Sequence, residues 1–199
     1  MASDGKEPFF DAMIREGVLE KNLFAFYMAM NPSIDDDGSS LTFGYWEEDK
    51  IEEGATLDWH PVIDELFWSL QMDDILLDGK SLGICDWTAD GTPLGKEEQE
   101  PLPIDGGRGR KCMFTPDSGT SHLHFTSWAY PTLLAATAGW DSLPCSEGSD
   151  LNFGNLTFVI NGVNYDLPSN HWVQRTIEDN DLGGLCHLEV GDMDIYQGG

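Results

Sequence analysis

Apolar residues recur at helical spacing at the start of the chain and then give way to short alternating runs. In "PFFDAMIREGVL", Phe9, Phe10, Met13, Ile14 and Leu19 follow the helical period and Gly17 stands where a C-terminal cap belongs, which predicts a short opening helix. From "NLFAFYMAM" through "SSLTFGYW", "ATLDWHPVI", "LFWSLQMDDILLDGKSLGI", "NLTFVINGVNYDL" and "CHLEVGDMDI", runs rich in Phe, Trp, Ile, Leu and Val are broken by Gly, Asp and Asn. That pattern predicts a mainly β body. "DGK" at 78–80 and "NGV" at 161–163 separate apolar runs and read as tight hairpin turns. Helical spacing returns over 127–140, "SWAYPTLLAATAGW", with Pro131 in the first turn and Gly139 at the end. Between them, 86–110 is rich in Gly, Pro and charge and reads as a surface loop insertion.

Composition limits the partners. The 199 residues are 40% hydrophobic, enough for one substantial core or two small ones. With 10 Lys and Arg against 36 Asp and Glu the net charge is −26, which repels phosphate backbones and anionic lipid, so neither nucleic acid nor a membrane is an expected partner. No apolar run is long enough to span a bilayer, and "MASDGKEPFF" lacks the basic and apolar regions of a signal peptide. A pI near 4.1 suits an acidic compartment. Cys85, Cys112, Cys145 and Cys186 lack zinc-type spacing and read as two disulfides. Three connectivities are open. The pairs Cys85–Cys112 and Cys145–Cys186 close the shortest loops, and any such pairing implies an oxidising compartment.

The order "PFFDAMIREG…LFAFY…LTFG…LDWHPV…FWSLQMDDILLDGKSLGIC…CMFTPDSGTS…LPCS…NLTFVINGVNYDL…C…GDMDI" resembles the C-terminal lobe of the pepsin and cathepsin D family of aspartic proteases, from roughly residue 8 to 195. The resemblance implies one lobe of a bilobal β-barrel fold with a few short helices, so 1–199 is expected to be one partial domain. It also implies an aspartic endopeptidase acting on polypeptides, no cofactor or metal, and a secretory, extracellular or lysosome-like location. Each lobe of that family lends one Asp from a D-[ST]-G-[ST] loop. By that match Asp117 is the C-lobe catalytic aspartate, with Ser118, Gly119, Thr120 and Ser121 as its supporting loop.

The chemistry fits these residue types. Peptide hydrolysis by a carboxyl pair needs one carboxylate to take a proton from water and one carboxylic acid to polarise the scissile carbonyl. Gly119 lets the backbone approach the carboxylate, and Ser118 and Thr120 are expected to donate hydrogen bonds to it. "DSG" occurs once, so the chain carries half a dyad, and the other half is expected from an N-terminal lobe. The resemblance starts after that lobe and its flap tyrosine, and stops before the apolar-Gly segment that passes beneath the loop. Pro116 replaces a strand residue with a free N–H, and His122 and His124 stand at positions that are usually apolar.

Other residues have plainer readings. His122 and His124 alternate on a strand and, with Asp117, resemble part of a metal site, but no third ligand is placed by spacing, so hydrogen-bonded or solvent-facing histidines are expected. The carboxylate runs at 35–37, 47–49 and 97–98 lack EF-hand spacing and read as solvated loops. Tyr45, Trp46, Trp59 and Trp68 suit either a peptide cleft or packing, with packing the default. Asn155-Leu156-Thr157 is an N-glycosylation sequon, whereas Asn31-Pro32-Ser33 is excluded by its proline. Three functions follow: the C-terminal part of a bilobal endopeptidase inactive by itself, a homodimeric protease with one Asp per chain, or a non-catalytic binding module.

Overall fold

The computed structural model describes residues 6–29, 38–63, 67–85, 112–127, 129–137, 143–144, 153–176 and 185–193. The predicted loop at 86–110, the 35–37 and 97–98 carboxylate runs, Cys145 and Gly139 lie outside them. The chain groups into two compact units, residues 1–59 and 60–199. The run "ATLDWHPVI" at the boundary, expected as a strand, contributes only an isolated bridge between Val62 and Leu70.

In the first unit, helix α1 (Phe9–Arg15) stops as expected. The Val18 N–H reaches the Met13 carbonyl and the Gly17 N–H reaches that of Ile14, a Schellman cap with Gly17 in the left-handed region at φ +66°. Strands β1 (Phe24–Tyr27) and β2 (Ser40–Phe43) pair antiparallel. Phe10 of α1 meets Phe24 at 5.3 Å and Phe43 at 6.1 Å between ring centroids, so aromatic contacts join helix to ladder.

The second unit is built around β3 (Leu70–Leu77), which pairs with β4 (Lys80–Ser81) and β5 (Met113–Phe114). Strand β6 (Leu123–Phe125) and helix α2 (Tyr130–Ala136) follow, then β7 (Leu143–Pro144) and the hairpin of β8 (Leu156–Ile160) and β9 (Val163–Leu167). Three more strands, β10 (Val173–Thr176), β11 (Leu185–Leu188) and β12 (Val190–Asp192), complete it. The largest sheet runs β4-β3-β8-β9 with β5 on β3, a second runs β10-β11-β7, and β12 pairs in parallel with β6. Mainly β architecture with two short helices is what the patterning predicts.

Strand β8 has partners on both sides, and four of its five residues are buried. On β3 strict alternation breaks, because a register shift between Met72 and Asp74 makes Asp73 an extra residue. Met72 and Ile75, three apart, therefore both enter the core. Asp73 Oδ2 accepts the Gly162 N–H at 2.7 Å, which ties the bulge to the opposite hairpin turn. Helix α2 buries Leu133, and its capping residues Ala129 and Thr137, four positions to either side, are buried too. Cys85 and Cys112 are bonded with Cα atoms 5.3 Å apart, and Cys186 is buried and disulfide-bonded. Its expected partner Cys145 lies outside the described residues.

Both hairpin turns form where expected, with Asp78 and Gly79 at φ +49° and +73° and Asn161 and Gly162 at +49° and +75°. Two consecutive left-handed residues match the twist of the flanking strands. A Cβ on Gly162 would meet nothing within 4 Å, so Gly162→Ala isolates the backbone cost. It is expected to destabilise the chain by about 1–2 kcal/mol, read as a lower denaturation midpoint with an unchanged m-value.

Candidate active site

Asp117 lies on the connection from β5 to β6, and local chemistry sets its shape. Strand β5 stays in register with β3 through Leu70 opposite Phe114, and the Met72 N–H reaches the Cys112 carbonyl. Pro116 has no N–H to continue the ladder, so the chain leaves the sheet after Phe114. Before it does, Thr115 Oγ1 shares a 2.8 Å hydrogen bond with Ser69 Oγ, whose residue is 1% exposed, so the loop's entrance is anchored in the core.

The carboxylate is gripped by its own turn. The Gly119 N–H donates to Asp117 Oδ1 at 2.8 Å, Thr120 Oγ1 donates to Oδ2 at 2.7 Å, and the Thr120 N–H reaches the Asp117 carbonyl at 3.3 Å. This is an Asx turn closed by a hydroxyl. Gly119 matters for proximity, since a Cβ there would stand 3.2 Å from Asp117 Oδ1. The expected donor Ser118 makes no bond to the carboxylate, because the turn aims the N–H two residues on and the hydroxyl three residues on. Ser121 also turns away, its Oγ sharing 2.9 Å with His122 Nδ1.

Hydrogen bonds to the charged form, from Thr120 first and Gly119 second, hold the exposed Asp117 carboxyl below the usual carboxylate range. A depressed folded value means these bonds are fully made above the ordinary range and are lost as pH falls through the depressed value. Thr120→Val removes the larger cause. Its Asp117 pKa is expected to rise toward the ordinary value, followed by carboxyl carbon NMR against pH; an unmoved titration would contradict this account.

The loop's exit is fixed by β6 and β12. The Leu123 N–H bonds the Glu189 carbonyl, and His122 Nε2 contacts Glu189 Oε2. His122 is thus held between Ser121 and Glu189, and the His124 ring lies against Gly191, where a Cβ would stand 3.2 Å from it. Val190-Gly191 lies in β12, parallel to the strand that leaves the loop.

Of the aromatics, Tyr45, Trp59 and Trp68 are 53%, 73% and 58% exposed and so lie outside the core. In the first unit Trp46 meets Trp59 edge to face at 6.0 Å, and Lys21 Nζ lies 4.6 Å from the Trp46 ring. A shallow cavity of about 500 Å³ there has Trp46, Glu48, Ile51, Glu52, Leu57 and Trp59 among its lining residues. In the 47–49 run, Glu47 accepts a hydrogen bond from Ser40, while Glu48 and Asp49 are exposed.

Residues 1–197 match the profile of the eukaryotic aspartyl protease family. This chain belongs to that family. Among the aspartyl protease relatives, Pepsin-3 of Oryctolagus cuniculus is 26% identical over 202 residues, spanning 100% of this chain and 44% of its own length. Gastricsin of Suncus murinus is 26% identical over 194 residues, 96% of this chain and 42% of its own. Cathepsin E-A of Xenopus laevis is 27% identical over 193 residues, 94% and 40%. The chain therefore spans less than half the length of the curated aspartyl proteases it matches.

Proposed function

We propose that this chain is the C-terminal lobe of an aspartic endopeptidase and that Asp117 is one of the two carboxyls of its catalytic centre. The single observation that carries the reading is the turn at 117–120. It holds an exposed carboxylate by one backbone N–H and one hydroxyl, between an entrance anchored at Ser69 and an exit strand paired with β12. A carboxylate so oriented and solvent-open is suited to take a proton from water.

Its partner aspartate belongs to a second lobe, in keeping with relatives more than twice as long as the matched region. Facing another carboxyl, Asp117 would share one proton with it, because two like charges in one site do not both ionise, as is established for this enzyme class. Titration then belongs to the pair, and raising pH until both ionise removes the acid that polarises the carbonyl. An acidic optimum follows. The substrate is an extended polypeptide with bulky apolar side chains, bound by main-chain hydrogen bonds and apolar surface. Trp68, exposed and one residue before the anchoring Ser69, offers such surface. The Cys85–Cys112 disulfide favours an oxidising route, to the cell exterior or an acidic lysosome-like compartment.

The test is the mass of the native protein from its source, non-reduced and then reduced, with retention on an immobilised aspartic-protease transition-state analogue at acidic pH. A longer precursor or a partnered chain that is retained supports the reading. A lone 199-residue chain that passes through overturns it in favour of a binding module.

A further inference from the structure

We propose that Asn155 carries an N-linked glycan and that the glycan is added before β8 joins its sheet. The acceptor tripeptide Asn155-Leu156-Thr157 straddles the edge of an element, and its two chemical ends have opposite environments. Asn155 is exposed, just before β8, and its backbone N–H donates to Asp78 Oδ1 at 3.0 Å. The Asn155 carbonyl accepts the Asp78 N–H at 2.9 Å, so the backbone is held from both sides while the side chain meets solvent. A glycan on that side chain displaces nothing in the core.

Thr157 is in the opposite position. It is 5% exposed, and its Oγ1 donates to Asp166 Oδ1 of β9 at 2.6 Å. Its backbone lies opposite Leu76 on one side and Asp166 on the other, and Leu156 beside it is 0% exposed. A transferase that reads an Asn-x-Thr segment needs the threonine hydroxyl free and the backbone able to fold around it. Neither condition holds once β3, β8 and β9 are paired. The reaction forms a bond from Asn155 Nδ2 to the anomeric carbon of a lipid-linked oligosaccharide. The carbon–oxygen bond to the lipid pyrophosphate breaks, the pyrophosphate leaves with the electron pair, and the amide gives up one proton. Only the unpaired chain presents that nucleophile with its hydroxyl partner.

The inference rests on the secretory route proposed above and is independent of Asp117. Its test is arranged so that routing cannot decide it. The full chain, fused to a cleavable signal peptide, is expressed in a eukaryotic secretory host and treated with peptide N-glycosidase. A mobility shift removed by the enzyme and absent in Asn155→Gln is expected, and an unshifted chain overturns the site. Asn155 is exposed, so that variant is expected to fold, checked by its circular dichroism. For the timing, unglycosylated chain is offered to oligosaccharyltransferase with a lipid-linked donor, once folded and once reduced and unfolded. The folded chain is expected to react at least about tenfold more slowly, because only its locally opened fraction is an acceptor. Equal rates overturn the order of events, and failure of both forms overturns the site.

Discussion

Asp117→Asn is expected to abolish acid proteolysis in the assembled enzyme, with kcat/KM reduced by at least about a thousandfold and the fold retained. The asparagine amide can be neither general base nor shared acid, so the pair loses its titrating member. It also has one acceptor oxygen where the carboxylate has two, and here both are used, by Gly119 and Thr120. Because the residue is exposed, global stability is expected to change little. The check is cleavage of an unfolded polypeptide at acidic pH by enzyme from the native source sequence with and without the substitution, beside matched denaturation curves. Retained proteolysis in the variant would remove Asp117 from the mechanism, whereas loss of both activity and fold would show that the turn is structural.

The largest stability effect is expected at Trp172. Trp172 follows the short turn Ser169–His171 and precedes β10; its side chain is fully buried and is the largest such side chain among the described residues. Its carbonyl accepts the Glu189 N–H at 2.8 Å, so the residue also fixes the bend between β11 and β12. Trp172→Ala removes the indole from a close-packed site and leaves a void that the flanking strands cannot collapse around. A loss of about 3–5 kcal/mol follows, with Tm lower by roughly 10 °C for a unit of this size. Urea denaturation followed by circular dichroism reads it directly. A loss under about 1 kcal/mol would place the indole at the surface and undo the packing described.

Much of this was legible in the sequence where local chemistry dictates conformation. Asp78-Gly79 and Asn161-Gly162 announce their hairpins because few residue pairs tolerate two left-handed positions in succession. The opening helix announces its end through Gly17, and the DSGTS run announces a turn because Asp, Gly and a hydroxyl residue close it on themselves. Long-range partners set what stayed hidden. Alternation on β3 fails at Asp73 because the bulge is bonded to Gly162, far along the chain. The donors to Asp117 are Gly119 and Thr120 because the turn geometry selects them, whereas residue type alone pointed to Ser118 and Thr120. That Val190–Asp192 pairs with the strand leaving the loop was hidden because the two lie far apart along the chain. The exposure of Trp59 and Trp68 likewise cannot be read from their hydrophobicity.

The parallel pairing of Leu123–Phe125 with Val190–Asp192 sets a clock on biosynthesis. A ribosome finishes the Asp117 turn about seventy residues before it reaches the strand that fixes the turn's exit, an interval of several seconds at about 5–20 residues per second. Throughout that time the nascent chain holds the self-closed turn without the strand that fixes its exit. A message truncated upstream of Val190 would therefore yield a product that carries the turn without its fixed exit, so synthesis of β12 acts as the checkpoint.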